Sequence, residues 1–187
     1  MDEQQTLEEV RSKGCGLALL GEIGAWTNNR CWRKVHSHMI TTIVDYSDEL
    51  KDSVFKFTDE CFRELGKAFE PGGRHSFYND IESTFAMFKC LLADDNVIGT
   101  VGLKKINDDT VELKALYLDK NYRGQGLGTK LINTAVDKAR QLGFKTIVLD
   151  SMSGYKDALK LYEKTGFVPT ERFNDNPYAD VFMKKDL

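Results

Sequence analysis

Residues 123–128 read Arg123-Gly124-Gln125-Gly126-Leu127-Gly128 and lie between a β-patterned run at 111–118 and an amphipathic run at 129–142. Three glycines in five positions suit a tight turn and leave backbone N–H groups uncovered. In the run that follows, Leu131, Ile132, Ala135, Val136, Ala139 and Leu142 share one broad helical face. Such a helix aims the positive end of its dipole at the turn. Strand, glycine turn and helix in that order form a corner suited to an anion, and Arg123 adds a full charge at its entrance. Gly143 sits where a helix C′ glycine belongs, and 146–149 reads as a short buried strand. The unit 111–149 is therefore strand, helix, strand, and a right-handed crossover makes its two strands parallel within one sheet.

Upstream, 39–46 is rich in Ile, Thr and Val and reads as a strand. Ser47 is the expected N-cap of a helix carrying Leu50, Val54, Phe57, Cys61, Phe62 and Leu65. Residues 66–84, with Pro71-Gly72-Gly73, read as a loop-rich insert. Strands at 85–93, 97–106 and 111–118, joined by turns at Asp94-Asp95-Asn96 and Asn107-Asp108-Asp109, form an antiparallel meander. Downstream, 157–165 is helical and stops at Gly166. Two last strands, 167–173 and 179–184, flank a loop with Asn174-Asp175-Asn176-Pro177.

With 187 residues the chain suits one domain and a short extra segment. That segment is 1–38, interrupted by Gly14, Gly16, Gly21 and Gly24 and read as a poorly ordered N-terminal extension; the domain is 39–187, with Met39 as its natural start. The 26 basic residues are scattered among 29 acids, for a net charge of −3, so no nucleic acid is expected as partner. No apolar run approaches the roughly 18 residues that span a bilayer, and Asp2, Glu3, Glu8 and Glu9 carry the wrong charge for a secretory signal. The expected location is cytoplasmic, without a membrane partner. Cys15, Cys31, Cys61 and Cys90 lie far apart with no C-x-x-C, which fits a reducing compartment while leaving two disulfides open. Cys15, Cys31, His36 and His38 match no zinc spacing, so no metal is expected.

The turn has several readings. A P-loop needs a glycine directly before its lysine, and Lys130 follows Thr129. A dinucleotide site wants G-x-G-x-x-G, whereas Gly124, Gly126 and Gly128 give G-x-G-x-G; Asp150 lies at a tempting distance downstream, but the meander does not suit a doubly wound sheet. A tight turn without ligand also stays open. The fourth reading is R-x-x-G-x-G, carried by Arg123, Gly126 and Gly128. Together with Glu112-Leu113-Lys114-Ala115-Leu116-Tyr117-Leu118 before it and Ala158-Leu159-Lys160-Leu161-Tyr162-Glu163-Lys164-Thr165-Gly166-Phe167 after it, the turn resembles the GNAT acetyltransferase family over most of the chain from Met39 onward. The stretches Asn174-Asp175-Asn176-Pro177 and Val181-Phe182-Met183 resemble the C-terminal hairpin of its small bacterial-type members.

The resemblance implies an α/β (α+β) GNAT fold: a mixed central sheet of six to seven strands, flanking helices and two central parallel strands that splay apart. It implies acetyl-CoA as cosubstrate, its pyrophosphate on the amides of Arg123, Gly124, Gln125, Gly126, Leu127, Gly128 and Thr129. The pantetheine would run beside Leu116, Tyr117 and Leu118. The implied reaction is direct acetyl transfer to the primary amine of a small molecule or peptide, with Tyr162 as general acid and Glu112 as base. Glu112 is also open to reading as a solvated charge or a partner for Lys114, on a face shared with Leu116 and Leu118. Many members carry Asn where this chain has Tyr155, so either the Tyr155 hydroxyl holds the pantetheine arm or the cofactor sits slightly differently, with Ser151 and Ser153 also able to compensate. Arg74, His75, Asp80 and Glu82 border the expected acceptor side. A non-catalytic CoA-binding or regulatory module, a nucleotide-binding protein, and a homodimer paired through the C-terminal strands stay open.

Overall fold

The computed structural model describes residues 40–187. The expectations for 1–38 and for Met39 lie outside the described residues. Seven strands form one sheet: β1 (Thr41–Asp45), β2 (Met87–Ala93), β3 (Asn96–Lys105), β4 (Thr110–Leu118), β5 (Thr146–Ser151), β6 (Val168–Pro169) and β7 (Val181–Asp186), in the order β1-β2-β3-β4-β5-β7-β6. All pairings are antiparallel except β4–β5, as the crossover rule requires of the strand–helix–strand unit. Asp94 and Asp95, at φ 47° and 63°, make the two-residue hairpin turn between β2 and β3.

The helices are α1 (Lys51–Glu64), α2 (Ile81–Thr84), α3 (Leu127–Gln141) and α4 (Lys156–Lys164). α1 buries Val54, Phe57, Thr58, Cys61 and Phe62 at helical spacing and packs with Phe88, Cys90 and Tyr117 on one side of the sheet. α3 buries Leu131, Ile132, Ala135, Val136 and Ala139 and packs on the other side with Leu103, Val111, Leu113, Ile147 and Tyr162.

Some expected elements differ in detail. Ser47 makes no side-chain cap; its carbonyl accepts from Leu50 N–H at 2.9 Å, and a single 3₁₀ turn, Asp48–Leu50, leads into α1. The 66–84 insert contains α2, whose first turn is capped by the Asp80 carboxylate accepting from Ser83 N–H at 3.1 Å. The strand expected at 167–173 is only Val168–Pro169, because Pro169 donates nothing to a ladder and the chain leaves β7 after Thr170 N–H bonds Phe182 O at 2.9 Å.

Two irregularities of β4 shape the site. Gly102 faces Lys114 but Thr100 faces Tyr117, so β4 carries one extra residue, a bulge at Ala115, which sits at φ 52°. The bulge inverts the alternation: Leu116 and Leu118 join Val111 and Leu113 against α3, and Ala115 and Tyr117 turn toward α1. The face expected to hold Glu112, Lys114, Leu116 and Leu118 together is thereby divided. Second, β4 and β5 pair only at Thr110–Thr146, Val111–Ile147 and Glu112–Val148. Beyond Glu112, β4 follows β3 and β5 follows β7, which opens the splay between the central parallel strands.

Candidate active site

The glycine corner lies between the end of β4 and the start of α3. Gly124 and Gly126 adopt φ 77° and 80°, conformations an L side chain resists. A Cβ on either would meet nothing within 4 Å, so the requirement is the backbone conformation, and the space in front stays clear. Gly128 is required by packing, since a Cβ there would lie 2.9 Å from Leu161 Cδ2. Lys130 N–H is the first of α3 to reach an intrahelical acceptor, Gly126 O at 3.0 Å. The amides before it are the uncapped donors of a helix N-terminus. Arg123 does not carry a free charge to the corner: its guanidinium is paired with both oxygens of Glu64, at 2.7 and 3.1 Å, and its Nε donates to Leu118 O at 3.1 Å.

Tyr162 stands on α4, 8% exposed, its ring 6.0 Å from Phe167. Burial and, after it, the negative charge of Asp150 push its hydroxyl up to about 12, so the phenol keeps its proton at neutral pH. Tyr117 crosses toward α1, its ring 5.5 Å from Phe62, and burial raises its hydroxyl well above the ordinary value. The Tyr155 hydroxyl is buried with no hydrogen-bond partner among the described residues, and Lys67 Nζ lies 5.0 Å over its ring. Ser153 is engaged elsewhere: its N–H and hydroxyl donate to Asp180 at 2.7 and 2.6 Å. Ser151 pairs with Val181 in the β5–β7 ladder.

Glu112 is 6% exposed, which rules out a solvated surface charge. Lys114 Nζ pairs with its Oε1 at 2.8 Å, and Asn174 Nδ2 donates to the same oxygen at 3.2 Å. Asn174 Nδ2 also donates to Asp150 Oδ2 at 2.6 Å, and Asn176 Nδ2 to that oxygen at 3.2 Å. Asp150 is half-buried at the end of β5. Sequence reasoning missed this carboxylate–amide cluster: Asn174-Asp175-Asn176 read as a loop of the C-terminal hairpin, and Asp150 was weighed only for a dinucleotide site.

On the expected acceptor side, Arg74 pairs with Glu70 at 3.3 Å and lies 5.2 Å over the ring of Tyr178, linking the 66–84 segment to the C-terminal loop. His75 Nδ1 accepts from Glu70 N–H at 2.9 Å, and its ring is 4.5 Å from Phe62. Burial and the charge of Arg74 lower its pKa, which favours the neutral ring. Asp80 is spent on capping α2, and Glu82 is exposed. Among the described residues no cluster of His, Cys, Asp or Glu suits a metal ion, and no helix is long and apolar enough to cross a membrane.

The chain is 39% identical over 95 residues to the probable N-acetyltransferase camello of Xenopus laevis, covering 47% of this chain and 43% of that protein. It is 35% identical over 83 residues to N-acetyltransferase 8B of Homo sapiens, covering 42% and 37%. It thus spans less than half the length of these curated relatives. An acetyltransferase from Streptococcus agalactiae superposes with a TM-score of 0.72 at 23% identity, covering 79% of this chain and 98% of that one. The PaiA N-acetyltransferase from Thermoplasma acidophilum, solved in complex with coenzyme A, superposes at 0.68 and 21% identity, covering 80% and 100%. At those identities the likeness is one of fold. Residues 51–167 match the sequence profile of the acetyltransferase (GNAT) family, a stretch that runs from α1 through the glycine corner to the end of α4. On that match, over more than half of its length, the chain belongs to the acetyltransferase (GNAT) family.

Proposed function

We propose that the protein is an acetyl-CoA-dependent N-acetyltransferase that moves acetyl from the thioester directly to a primary amine of a small molecule or peptide. The observation that carries this reading is that β4 and β5 part beyond Glu112, that the uncapped amides of 124–129 follow β4, and that Asp150 of β5 shares an amide with Glu112 while its charge reaches the buried phenol of Tyr162. The amides of Arg123 to Thr129 would hold the diphosphate. The edge of β4 at Leu116, Tyr117 and Leu118, freed from β5, would pair with the pantetheine amides. The Tyr155 hydroxyl is a further donor toward that arm.

An ammonium has no lone pair, so a lysine-like amine, with a pKa of about 10.4 in water, must shed a proton before it attacks. That proton passes to the carboxylate pair, with Glu112 or Asp150 as the base. The nitrogen then attacks the acetyl carbon, and the C–S bond breaks as the C–N bond forms. The departing thiolate takes the proton of Tyr162, and the phenolate recovers one from the nitrogen, which must lose its second.

The test pairs thermal-shift titrations against acetyl-CoA, ATP and NAD with thiol release over a panel of amines. Stabilisation by acetyl-CoA alone, with thiol release on a subset of amines, is the expected result. Stabilisation without thiol release would instead mark a non-catalytic CoA-binding module, and a response to ATP or NAD alone would overturn both.

A further inference from the structure

We propose that Asn174 is the positioning residue of this site: its side-chain amide bridges the gap where β4 and β5 part and fixes Asp150 as the carboxylate that receives the acceptor's proton. The proposal rests on the acetyl-transfer reading above.

The backbone ladder between β4 and β5 ends at Glu112 and Val148. Past that point one side-chain nitrogen joins the two strands on this face, donating to Glu112 on β4 and Asp150 on β5. Two carboxylates that close repel each other, and the amide hydrogens between them fix both their separation and their orientation.

The two acids are not equivalent. Lys114 compensates Glu112 at 2.8 Å, and Glu112 is 6% exposed. Asp150 is more open, and no cation pairs with it among the described residues; its donors are the neutral amides of Asn174 and Asn176. A neutral donor orients a carboxylate without cancelling its charge. The cluster therefore presents one uncompensated negative charge, which complements one ammonium.

Glu112 of β4 shares the Asn174 amide with Asp150, Tyr117 of β4 and Tyr162 of α4 lie within reach of its charge, and Lys184 of β7 stands two residues from its ladder partner Phe182. The ammonium of Lys184 is committed to Asp186 at 3.2 Å. The loop itself is held firm. Asn174 Oδ1 accepts from Asn176 N–H at 3.2 Å. Arg172 donates to the carbonyls of Asn174, Asn176 and Ala179 at 3.4, 3.1 and 3.0 Å, with its guanidinium 4.5 Å over the Phe182 ring. A donor carried on so fixed a loop can hold a carboxylate to the tolerance that proton transfer needs.

The experiment compares the full chain with its Asn174→Ala and Asn176→Ala variants on acceptor amines of graded basicity at neutral pH. Asn174→Ala is expected to lower kcat about tenfold or more on strongly basic amines, with KM for acetyl-CoA unchanged. On weakly basic amines, which are already neutral and need no base, the deficit closes. Asn176→Ala, which leaves the bridge intact, shows a smaller loss. An equal loss on all amines means that Asn174 is merely structural and overturns the proposal.

A second measurement does not depend on turnover. In NMR spectra of the parent protein the two side-chain amide protons of Asn174 should lie away from solvent-exposed positions, and one should move on Asp150→Asn. An amide pair at exposed positions refutes the bridge. If the parent releases no thiol with any amine, the acetyl-transfer reading and the proton role fall together, while the amide signals still decide whether Asn174 spans the strands.

Discussion

Glu64, in the last turn of α1, and Arg123, at the start of the glycine corner, form a two-pronged ion pair at 2.7 and 3.1 Å. The pair couples the helix on one face of the sheet to the loop assigned to the diphosphate. It is partly exposed, so its contribution to stability is at most about 1 kcal/mol. Its effect on binding is larger in kind, because Glu64 cancels the one guanidinium at the corner. Glu64→Gln is expected to lower the KM for acetyl-CoA several-fold at low ionic strength, with the difference vanishing in high salt. A KM that rises at every ionic strength would show that Glu64 serves to hold Arg123 in place.

Gly126 caps α3 at φ 80°. Gly126→Ala forces a left-handed alanine, at about 1–2 kcal/mol, or a rearranged corner. The expected outcome is a raised KM for acetyl-CoA with a modest fall in Tm. Gly154→Ala, where a Cβ meets nothing and φ is unremarkable, should change neither.

Tyr162 keeps its proton because burial and the charge of Asp150 push it up to about 12. Tyr162→Phe preserves the ring against Phe167 and removes the donor. It should lower kcat about 100-fold while leaving the dissociation constant of CoA, measured by calorimetry, unchanged. In the unsubstituted protein, ionisation of Tyr162 should not limit the rate until the pH approaches about 12.

Stability should fall on the alkaline side. Burial, followed by the charge of Glu64, raises the Cys61 thiol from 9.0 to about 12, and burial alone raises Cys90 by the same amount. Both folded values lie above the unfolded ones, so the unfolded chain releases these protons first. The contribution is complete below about pH 9 and is lost as pH climbs toward 12. Urea midpoints should stay level from neutrality to about pH 9 and then decline. Cys90→Ala should start from a lower midpoint, since a fully buried side chain is cut back, and decline less steeply.

Much of the frame was legible in the sequence because it rests on local periodicity and backbone need. The apolar face of α3, the Asp94–Asp95 hairpin and the stops at Gly143 and Gly166, at φ 84° and 88°, all follow from neighbours in the chain. Of the candidate site, the sequence offered the residues a motif marks, the glycine corner, Glu112 and Tyr162, as expectations. Asp150 stood out only for a dinucleotide reading, because its place beside Glu112 depends on where β5 leaves β4 and on amides arriving from 24 and 26 residues downstream. Ala115 gave no sign, since alanine has no preference for the positive φ that a bulge imposes.

That bulge supplies a last prediction. The Thr100 hydroxyl donates to Ala115 O at 2.7 Å, and Thr100 is fully buried. The bulge takes the Ala115 carbonyl out of the regular ladder, and the hydroxyl satisfies it from the neighbouring strand. Thr100→Val keeps the shape and removes the donor, leaving a buried carbonyl unpaired at about 1–3 kcal/mol. Thr100→Ser keeps the donor and should retain most of the stability despite the lost methyl group. Because the bulge decides that Leu116 and Leu118 face α3 while Tyr117 faces α1, Thr100→Val should also weaken acetyl-CoA binding, whereas Thr100→Ser should not. Equal Tm and KM in the two variants would mean that the backbone holds the bulge without the hydroxyl.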